Sequence, residues 1–236
     1  MGSESWNVVL SNIELEDEGR YQCQVGATEE EGPIRSDYAL IEVLAQPQPP
    51  VISVGPELTV REGEEVLVKC ISEGGKPMAS IKWWMNSELI AEGIQEEVPQ
   101  KPGAKDSITV SYITLSVDRS MSKKNLICEA GNGLGDPSSV KTSLTVEHKP
   151  ELMLTVNKEV IYEGDKIRVS CEAEGHPNLF EYHWKINDKI MREAKGAKEL
   201  VLDVTRDSHE KSLTCMARNT VGLSQTYQLN VRCKFL

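Results

Sequence analysis

The sequence lacks several features that define other classes of protein. It contains no run of 18 or more apolar residues, so no segment is predicted to span a membrane as a helix. The first residues show no basic region followed by an apolar one, so they are not predicted to be a secretory signal. Acidic residues outnumber basic ones by 37 to 26, and the net charge of −11 argues against nucleic acid or an anionic membrane surface as a partner.

Motifs that carry catalysis or bind metals are also absent. The sequence has no Gly-x-Ser-x-Gly, no paired-histidine motif, no phosphate-binding loop and no Cys-x-x-Cys, and its four histidines are scattered. We therefore predict no enzymatic activity, no cofactor and no metal site. The sequence also has no Asn-x-Ser/Thr acceptor for N-glycans. That absence is mildly unusual for an ectodomain and slightly favours an intracellular filament protein.

The sequence does contain a repeated pattern of cysteine and tryptophan. Alternating apolar residues, the period of a half-buried strand, lead into Cys171, and Trp184 and Cys215 follow. The same pattern occurs upstream at Cys70, Trp83 and Cys128. A disulfide that joins two sheets and packs against an indole is the hallmark of an immunoglobulin sandwich. We therefore predict an all-β chain of tandem immunoglobulin-like sandwiches of the I-set, with a truncated first domain.

The two-sheet pattern also predicts how the six cysteines pair. The predicted disulfides and core tryptophans are Cys70–Cys128 with Trp83, and Cys171–Cys215 with Trp184. Cys23 and Cys233 remain, near opposite ends of what should be an elongated array, and we predict that they do not pair. Disulfides require an oxidising compartment. A chain with these features but no signal or anchor is best interpreted as a fragment of a larger extracellular protein.

Residues 1–45 are predicted to be the C-terminal half of an immunoglobulin-like domain. Asp17-x-Gly-x-Tyr21-x-Cys23 places a tyrosine two residues before the cysteine, which predicts a tyrosine corner whose hydroxyl bonds to upstream backbone. The front half of the sandwich is missing, so the inner-face residues Val8, Leu10, Tyr21, Ala39 and Ile41 should be exposed to water. A lone hairpin is marginal in water. We expect residues 1–44 to be poorly ordered, or held only by contact with the next domain.

Two complete domains are predicted to follow, at residues 46–147 and 148–233. The proline-rich stretch 46–50 predicts an extended, semi-rigid connector, and residues 148–150 predict a short hinge. The interval from tryptophan to second cysteine is 45 residues in the first complete domain and 31 in the second. We therefore predict a long surface loop within residues 88–118, around 98–103. Both domains place leucine, Leu126 and Leu213, at the tyrosine-corner position.

Three outward-facing residues are candidates for binding a partner. Gln22 and Gln24 flank the inward Cys23 on one strand and form a flat polar face. Trp84 follows the inward Trp83, so alternation sends it to the outer face, where a tryptophan is a plausible interface anchor. The simpler interpretations are solvent exposure for the glutamines and packing over neighbouring side chains for Trp84. The acidic run 29–31 and His183 are interpreted as solvated surface.

Several short motifs make the chain resemble the nephrin/Neph (irregular-chiasm) group of immunoglobulin-superfamily adhesion receptors. These motifs are Tyr21-Gln22-Cys23-Gln24-Val25-Gly26, Ile34-Arg35-Ser36, Gly75-Lys76-Pro77 and Leu126-Ile127-Cys128-Glu129-Ala130. The resemblance implies adhesion between cells, through homophilic or heterophilic contact with immunoglobulin domains on an apposed cell. It also implies a place on the extracellular side of the plasma membrane, at a cell junction. Carried over to this chain, the contact surface would include Gln22, Gln24 and the loop from Val25 to Arg35.

Two other classes of protein share this domain pattern. An intracellular sarcomeric-type array would use the same sandwiches as mechanical spacers, with reduced cysteines. The ligand-binding segment of a receptor kinase is the second alternative. The redox state of the cysteines separates adhesion from the filament, because four protected cysteines favour adhesion and six free ones favour the filament.

Overall fold

The computed structural model describes residues 8–27, 32–99, 107–187, 189–226, 229–230 and 233–234. The regular elements in these ranges are β-strands and short 3-10 helices without any α-helix, which confirms the predicted all-β class. Internal contacts divide the chain into two compact units. Unit 1 comprises the described residues of Met1–Leu58, Glu65–Leu115 and Lys124–Ser143, and unit 2 those of Thr59–Glu64, Ser116–Lys123 and Leu144–Leu236. The segments 59–64 and 116–123, which lie inside the predicted 46–147 domain, thus belong to unit 2.

The N-terminal part of unit 1 is a pair of short two-stranded sheets. A 3-10 helix at Leu15–Asp17 precedes four strands, β1 (Gly19–Tyr21), β2 (Gln24–Val25), β3 (Ile34–Arg35) and β4 (Ala39–Ile41). β1 pairs with β4 and β2 pairs with β3, both antiparallel. The hydroxyl of Tyr21 donates to the carbonyl oxygen of Asp17 at 2.6 Å, the hydrogen bond that the tyrosine-corner motif predicted.

The rest of unit 1 is a sandwich of two antiparallel sheets. Its strands are β5 (Ala45–Pro47), β6 (Val51–Ile52), the start of β7 (Glu57–Arg61), β8 (Glu65–Lys76), β9 (Ser80–Met85), β10 (Glu88–Ile90), β11 (Ile94–Glu97), β12 (Ile108–Ser116), β13 (Asn125–Gly131) and the start of β14 (Ser138–Val156). One sheet has the order β11-β12-β8-β5, with β6 also on β8. The other runs β10-β9-β13-β14. This arrangement places the two cysteines of the repeat on facing sheets, since β8 and β13 carry one each.

The core of unit 1 forms around the predicted disulfide and tryptophan. Cys70 and Cys128 are bonded, and both are fully buried together with Trp83. The indole nitrogen of Trp83 donates to the Ser111 hydroxyl at 2.9 Å, so burial leaves no unpaired donor there. Leu126, at the tyrosine-corner position, is fully buried as well. An apolar side chain at this position therefore contributes packing in place of a hydrogen bond.

The proline-rich connector is a strand of this sandwich, which corrects the prediction of a spacer between domains. β5 pairs with β8, with Ala45 opposite Lys76 and Pro47 opposite Gly74. The Gln48 amide continues this pairing with a hydrogen bond to the Glu73 carbonyl oxygen. Proline is compatible with an edge strand, where its missing N–H has no ladder partner to satisfy. The stretch is extended as predicted, but its backbone belongs to the sheet.

The insertion predicted as a long surface loop is partly a strand. β11 pairs with β12 in four positions, from Ile94 opposite Ile113 to Glu97 opposite Val110. Residues 100–106, which include part of the expected loop, lie outside the described residues. The extra residues therefore add an edge strand to the sheet, because a period-2 segment next to β12 finds free backbone partners there.

Unit 2 contains a second sandwich. Its strands are the later part of β14, then β15 (Ile161–Tyr162), β16 (Lys166–His176), β17 (Glu181–Ile186), β18 (Lys189–Ile190), β19 (Glu199–Asp203), β20 (Ser212–Arg218), β21 (Leu223–Gln225), β22 (Leu229–Asn230) and β23 (Cys233–Lys234). One sheet has the order β14-β16-β19, and the other runs β18-β17-β20-β21, with β22 on β20. β15 pairs with β23 in parallel. Three 3-10 helices complete the unit, at Arg119–Met121, Arg192–Ala194 and Arg206–Ser208.

The core of unit 2 repeats that of unit 1. The predicted disulfide Cys171–Cys215 is present, and both cysteines and Trp184 are fully buried. The Trp184 indole donates to the Ala197 carbonyl oxygen at 2.8 Å. Leu213 occupies the tyrosine-corner position and is buried like its counterpart in unit 1.

The hinge predicted at residues 148–150 is not a free turn. These residues lie inside β14, which pairs with β16 from His148 to Val156 with an irregularity in register between His148 and Glu151. Pro150 sits at this irregularity and is buried. A bulge accommodates a proline because its extra residue is left out of the ladder.

A charged cluster in unit 2 is centred on Arg119. Its guanidinium binds the carboxylate of Glu62 through two hydrogen bonds of 2.9 and 3.1 Å, and it also contacts the Glu151 carboxylate. The hydrogen bond from Arg119 holds the pKa of Glu62 below its ordinary value of 4.5. The side chains of Arg119 and Glu62 are about one-third exposed, so solvent screens the attraction between them.

We expect reduction of the disulfides to destabilise both sandwiches strongly. The bonds close loops with sequence separations of 58 and 44 residues, and the chain-entropy relation assigns each about 4 kcal/mol. Urea unfolding with and without a phosphine reductant measures this, with a Cys23→Ser variant as the control for the free thiol. Unchanged midpoints in the reductant would show that burial alone holds the sheets together.

We expect Arg119→Ala to weaken the acid dependence of unit 2 stability. The folded pKa of Glu62 is lowered, so the pair stabilises above the ordinary value of 4.5 and loses its contribution as pH falls through the lower folded pKa. Screening limits the loss at neutral pH to about 1 kcal/mol or less. Chemical unfolding between pH 3 and pH 7 would give this difference, and Arg192→Ala, an exposed arginine, is the control. If the free energy of unfolding of Arg119→Ala changed with pH as it does in the unchanged chain, the stabilising role of the Arg119–Glu62 pair would be contradicted.

Candidate recognition surface

The strands β1 to β4 form a hairpin whose two halves are out of register by one residue. Gly19 lies opposite Ile41 in the first half, and Gln24 lies opposite Arg35 in the second, so one extra residue is inserted on the returning strand. Ser36 fills the irregular step, since its hydroxyl accepts from the Cys23 amide at 3.0 Å and its amide donates to the Cys23 carbonyl oxygen. Such bulges twist a hairpin and redirect its side chains.

The outer face of this hairpin carries three of the predicted contact residues. Gln24 and Arg35 are cross-strand neighbours and both are exposed. Arg35 forms no ion pair with any residue that the structure describes, and its side chain is exposed. Gln22 differs from the expectation, because it is half-buried and its amide nitrogen donates to the Ser36 carbonyl oxygen at 2.8 Å. Its amide thus also stabilises the bulge.

The inner face of the hairpin is uncovered, as a half sandwich predicts. Val25 and Ile34, an opposing pair, are 57% and 61% exposed. Cys23 lies between Tyr21 and Val25 on this strand, and it is free and exposed. Val8, Leu10, Tyr21 and Ala39 are exposed as predicted, while Ile41 is half-buried. The expectation that residues 1–44 are poorly ordered, or held only by contact with the next domain, stays a prediction.

Trp84 is less exposed than predicted for an interface anchor. It lies opposite Leu89 on β10 and opposite Ile127 on β13, and these side chains leave it half-buried. Its indole nitrogen is buried and has no hydrogen-bond partner among the described residues. This arrangement corresponds to the simpler interpretation, in which the ring packs over neighbouring strand side chains. The role of Trp84 in binding remains a prediction.

An asparagine anchors the entry of the chain into each sandwich. The side-chain nitrogen of Asn132 donates to the carbonyl oxygens of Ala45 and Pro77, at 2.8 and 2.9 Å. In unit 2, Asn219 donates to those of His148 and Pro177, at 2.8 and 3.2 Å. The oxygen of each side chain accepts an amide from the following turn. Both asparagines lie four residues after the second cysteine of their repeat, but this spacing alone does not indicate their role.

The described residues form no cluster of side chains that could bind a metal ion. No group of three or more histidine, cysteine or acidic side chains is close enough there to hold a metal ion. A search of the described helices finds none that is both long and apolar enough to cross a bilayer. A surface pocket of about 250 Å³ lies near Ile167 and Leu213, and its polar lining includes Asp203 and Lys211.

Comparison with known protein families identifies the class of both sandwiches. A family model for the CD80-like C2-set immunoglobulin domain matches residues 47–138, and a model for the immunoglobulin domain matches residues 149–219. Both sandwiches therefore belong to the immunoglobulin superfamily. The first description names the C2-set, where the sequence predicted the I-set.

Individual relatives and a solved structure resemble most of the chain. Cell adhesion molecule 3 of Xenopus laevis is 29% identical over 95% of the chain and 57% of its own length. Irregular chiasm C-roughest protein of Drosophila melanogaster is 27% identical over 90% of the chain and 31% of its own length. The crystal structure of the full mouse nectin-like molecule 4 ectodomain is 25% identical, with a TM-score of 0.67 over 96% of the chain and 76% of that structure.

These relatives confirm the resemblance to the irregular-chiasm group and widen it. Cell adhesion molecules are among the relatives as well, so the similarity extends beyond that group. The chain spans about half or less of the length of these curated relatives.

We expect Asn219→Ala to destabilise unit 2 by about 1–3 kcal/mol, because two half-buried carbonyl oxygens lose their donor. Asn132→Ala should have a similar effect on unit 1. Thermal unfolding measured calorimetrically tests both variants. Asn178→Ala is the matched control, since Asn178 is exposed and makes no hydrogen bond within the described part of the chain. Equal melting temperatures for Asn219→Ala and Asn178→Ala would contradict the proposal that Asn219 anchors the chain.

Proposed function

We propose that this chain is part of a cell-surface adhesion protein that recognises immunoglobulin domains of the same or a related receptor. The observation that carries the proposal is the match to adhesion molecules over 90–95% of the chain, including both sandwiches and the hairpin. The protein acts by binding, and its domains hold the recognition surface in place. Plasma membrane, on the extracellular side of a cell junction, is the location that goes with this function.

The outer face of the hairpin is the proposed contact surface. Gln24 and Arg35 lie side by side on it, and both can form hydrogen bonds with a partner without first breaking one that the structure records. Arginine is enriched among residues that dominate binding energy, because its planar guanidinium presents five donors. Gln22 contributes chiefly by holding the bulge on which Arg35 lies. Trp84 would act as a second, smaller contact on unit 1.

The two disulfides favour this function over a sarcomeric-type array. Cys70–Cys128 and Cys171–Cys215 both have their sulfur atoms bonded and buried. Such bonds persist in oxidising compartments and are rare in the cytosol.

Aggregation of beads coated with the 236-residue chain tests homophilic recognition. Beads coated with purified ectodomains of the cell adhesion molecule and irregular-chiasm relatives test the heterophilic form. We expect Arg35→Glu to weaken whichever interaction is observed by more than about fivefold, because losing such a contact costs more than about 1 kcal/mol.

The control for this experiment is Arg192→Glu, which makes the same charge change at an exposed arginine of unit 2. Equal binding by the two variants would exclude the hairpin face as the contact surface. Absence of binding in every bead combination would count against the adhesion function itself.

A further inference from the structure

The hairpin that carries the proposed contact surface is fixed to the unit 1 sandwich by an ion pair. The carboxylate of Glu18, one residue before β1, contacts the ammonium of Lys76 at the end of β8. Both side chains are about three-quarters buried, with exposed fractions of 28% and 26%. The same carboxylate oxygen accepts the backbone amide of Val43 at 3.3 Å, just past β4. Glu18 therefore joins both ends of the hairpin to the sandwich.

We propose that Glu18 and Lys76 are positioning residues, which fix the orientation of the recognition hairpin on the unit 1 sandwich. This inference rests on the proposed function, because it assigns these residues a role in recognition. Neither residue lies on the outer face with Gln24 and Arg35. They act through the hairpin rather than by touching a partner.

The backbone around Lys76 provides a rigid base for this ion pair. Lys76 lies opposite Ala45 in the pairing of β5 with β8, and the Asn132 side chain bonds the Ala45 carbonyl oxygen. Gln46 reaches the Leu134 carbonyl oxygen at 2.8 Å. Gly75 has φ +86°, and a Cβ there would lie 3.2 Å from Cβ of Pro47, so the connector passes close to this turn. The ammonium of Lys76 thus projects from a fixed strand end.

The asparagine contact occurs in both sandwiches, whereas the ion pair is found in unit 1. In unit 2 the equivalent pairing places His148 opposite His176, and Asn219 bonds the His148 carbonyl oxygen. The Gly-x-Pro turn is also repeated, with His176 in the place of Lys76. No carboxylate contact to His176 occurs among the described residues. The asparagine anchor therefore belongs to the fold, while the charged contact is specific to the unit that carries the hairpin.

The hairpin also needs such a contact because its own packing is weak. Its inner face is exposed at Val25 and Ile34, and a two-stranded hairpin is marginal by itself. Without the ion pair, the connection at Ala45 would leave the hairpin free to reorient about the chain. Charge reversal at Lys76 would place two like charges together and drive them apart.

Spin labels measure this orientation directly, without a partner. Nitroxides are attached to the native Cys23 and to Thr114→Cys on the exposed side of β12, in a Cys233→Ser background of the full chain. We expect a narrow distance distribution between the labels, a width increased at least about twofold by Lys76→Glu, and recovery of the narrow width in the Glu18→Lys/Lys76→Glu double variant. Lys82→Glu, a charge reversal elsewhere on unit 1, is the control and should leave the width unchanged.

Bead binding then links orientation to recognition. Lys76→Glu should weaken binding by about threefold to fivefold, and the double variant should restore it, although neither changes the outer face. Should Lys76→Glu fail to fold, Lys76→Met removes the charge and keeps the apolar stem, and it should also broaden the distribution. An unchanged distance distribution in these variants would overturn the positioning role. If the unchanged chain bound no partner at all, the proposed function would be overturned, while the spin-label distances would still test the positioning role.

Discussion

The disulfide between facing sheets is the constraint on which each sandwich depends. It joins a strand of one sheet to a strand of the other and is fully buried with a tryptophan beside it. Because the bond fixes the separation of the sheets, the side chains between them can pack to high density and the outer faces can vary. The two cores use the same residue types at the same places, while their outer surfaces and edge strands differ. The unit 1 insertion illustrates this freedom, since it adds β11 at a sheet edge without disturbing Cys70 or Trp83.

The N-terminal hairpin has no such bond and is held in a different way. Cys23 occupies the place of the second cysteine, yet its thiol is free and exposed. What holds the hairpin is its own tyrosine corner at Tyr21, the bulge closed by Ser36, and the contact of Glu18 with Lys76. These contacts are polar and either exposed or partly exposed, so each is weak compared with a buried disulfide. Several of them acting together are required to fix one orientation.

Sequence patterns predicted the parts of this fold that depend on residue spacing along the chain. The two disulfides, both buried tryptophans, the tyrosine corner and the all-β class follow from cysteine spacing and from strand alternation. The connector and the hinge were predicted incorrectly, because proline suggests a spacer wherever its strand partner is unknown. Pairing of Pro47 with Gly74 depends on the distant strand β8, and no local signal in residues 46–50 indicates that partner.

Only part of the candidate surface could be predicted from the sequence. Alternation along the strand correctly placed Gln24 on the outer face, and the family resemblance added Arg35. The hydrogen bond of Gln22 to Ser36 depends on a one-residue shift in register, which alternation cannot reveal. Burial of Trp84 depends on Leu89 and Ile127, which belong to two other strands. Tertiary neighbours thus decide which outward-facing residues remain available.

Connectors that are strands respond to tension differently from flexible linkers. A flexible linker lengthens under tension without breaking any hydrogen bond. In this chain β5 is paired with β8, and β14 is paired with β13 at its start and with β16 after His148. Their extended backbones have no slack, so tension acts on ladder hydrogen bonds and on the asparagine anchors at Ala45 and His148. Pulling force therefore reaches the disulfide-bonded cores directly, and these are the parts of the chain that extend least.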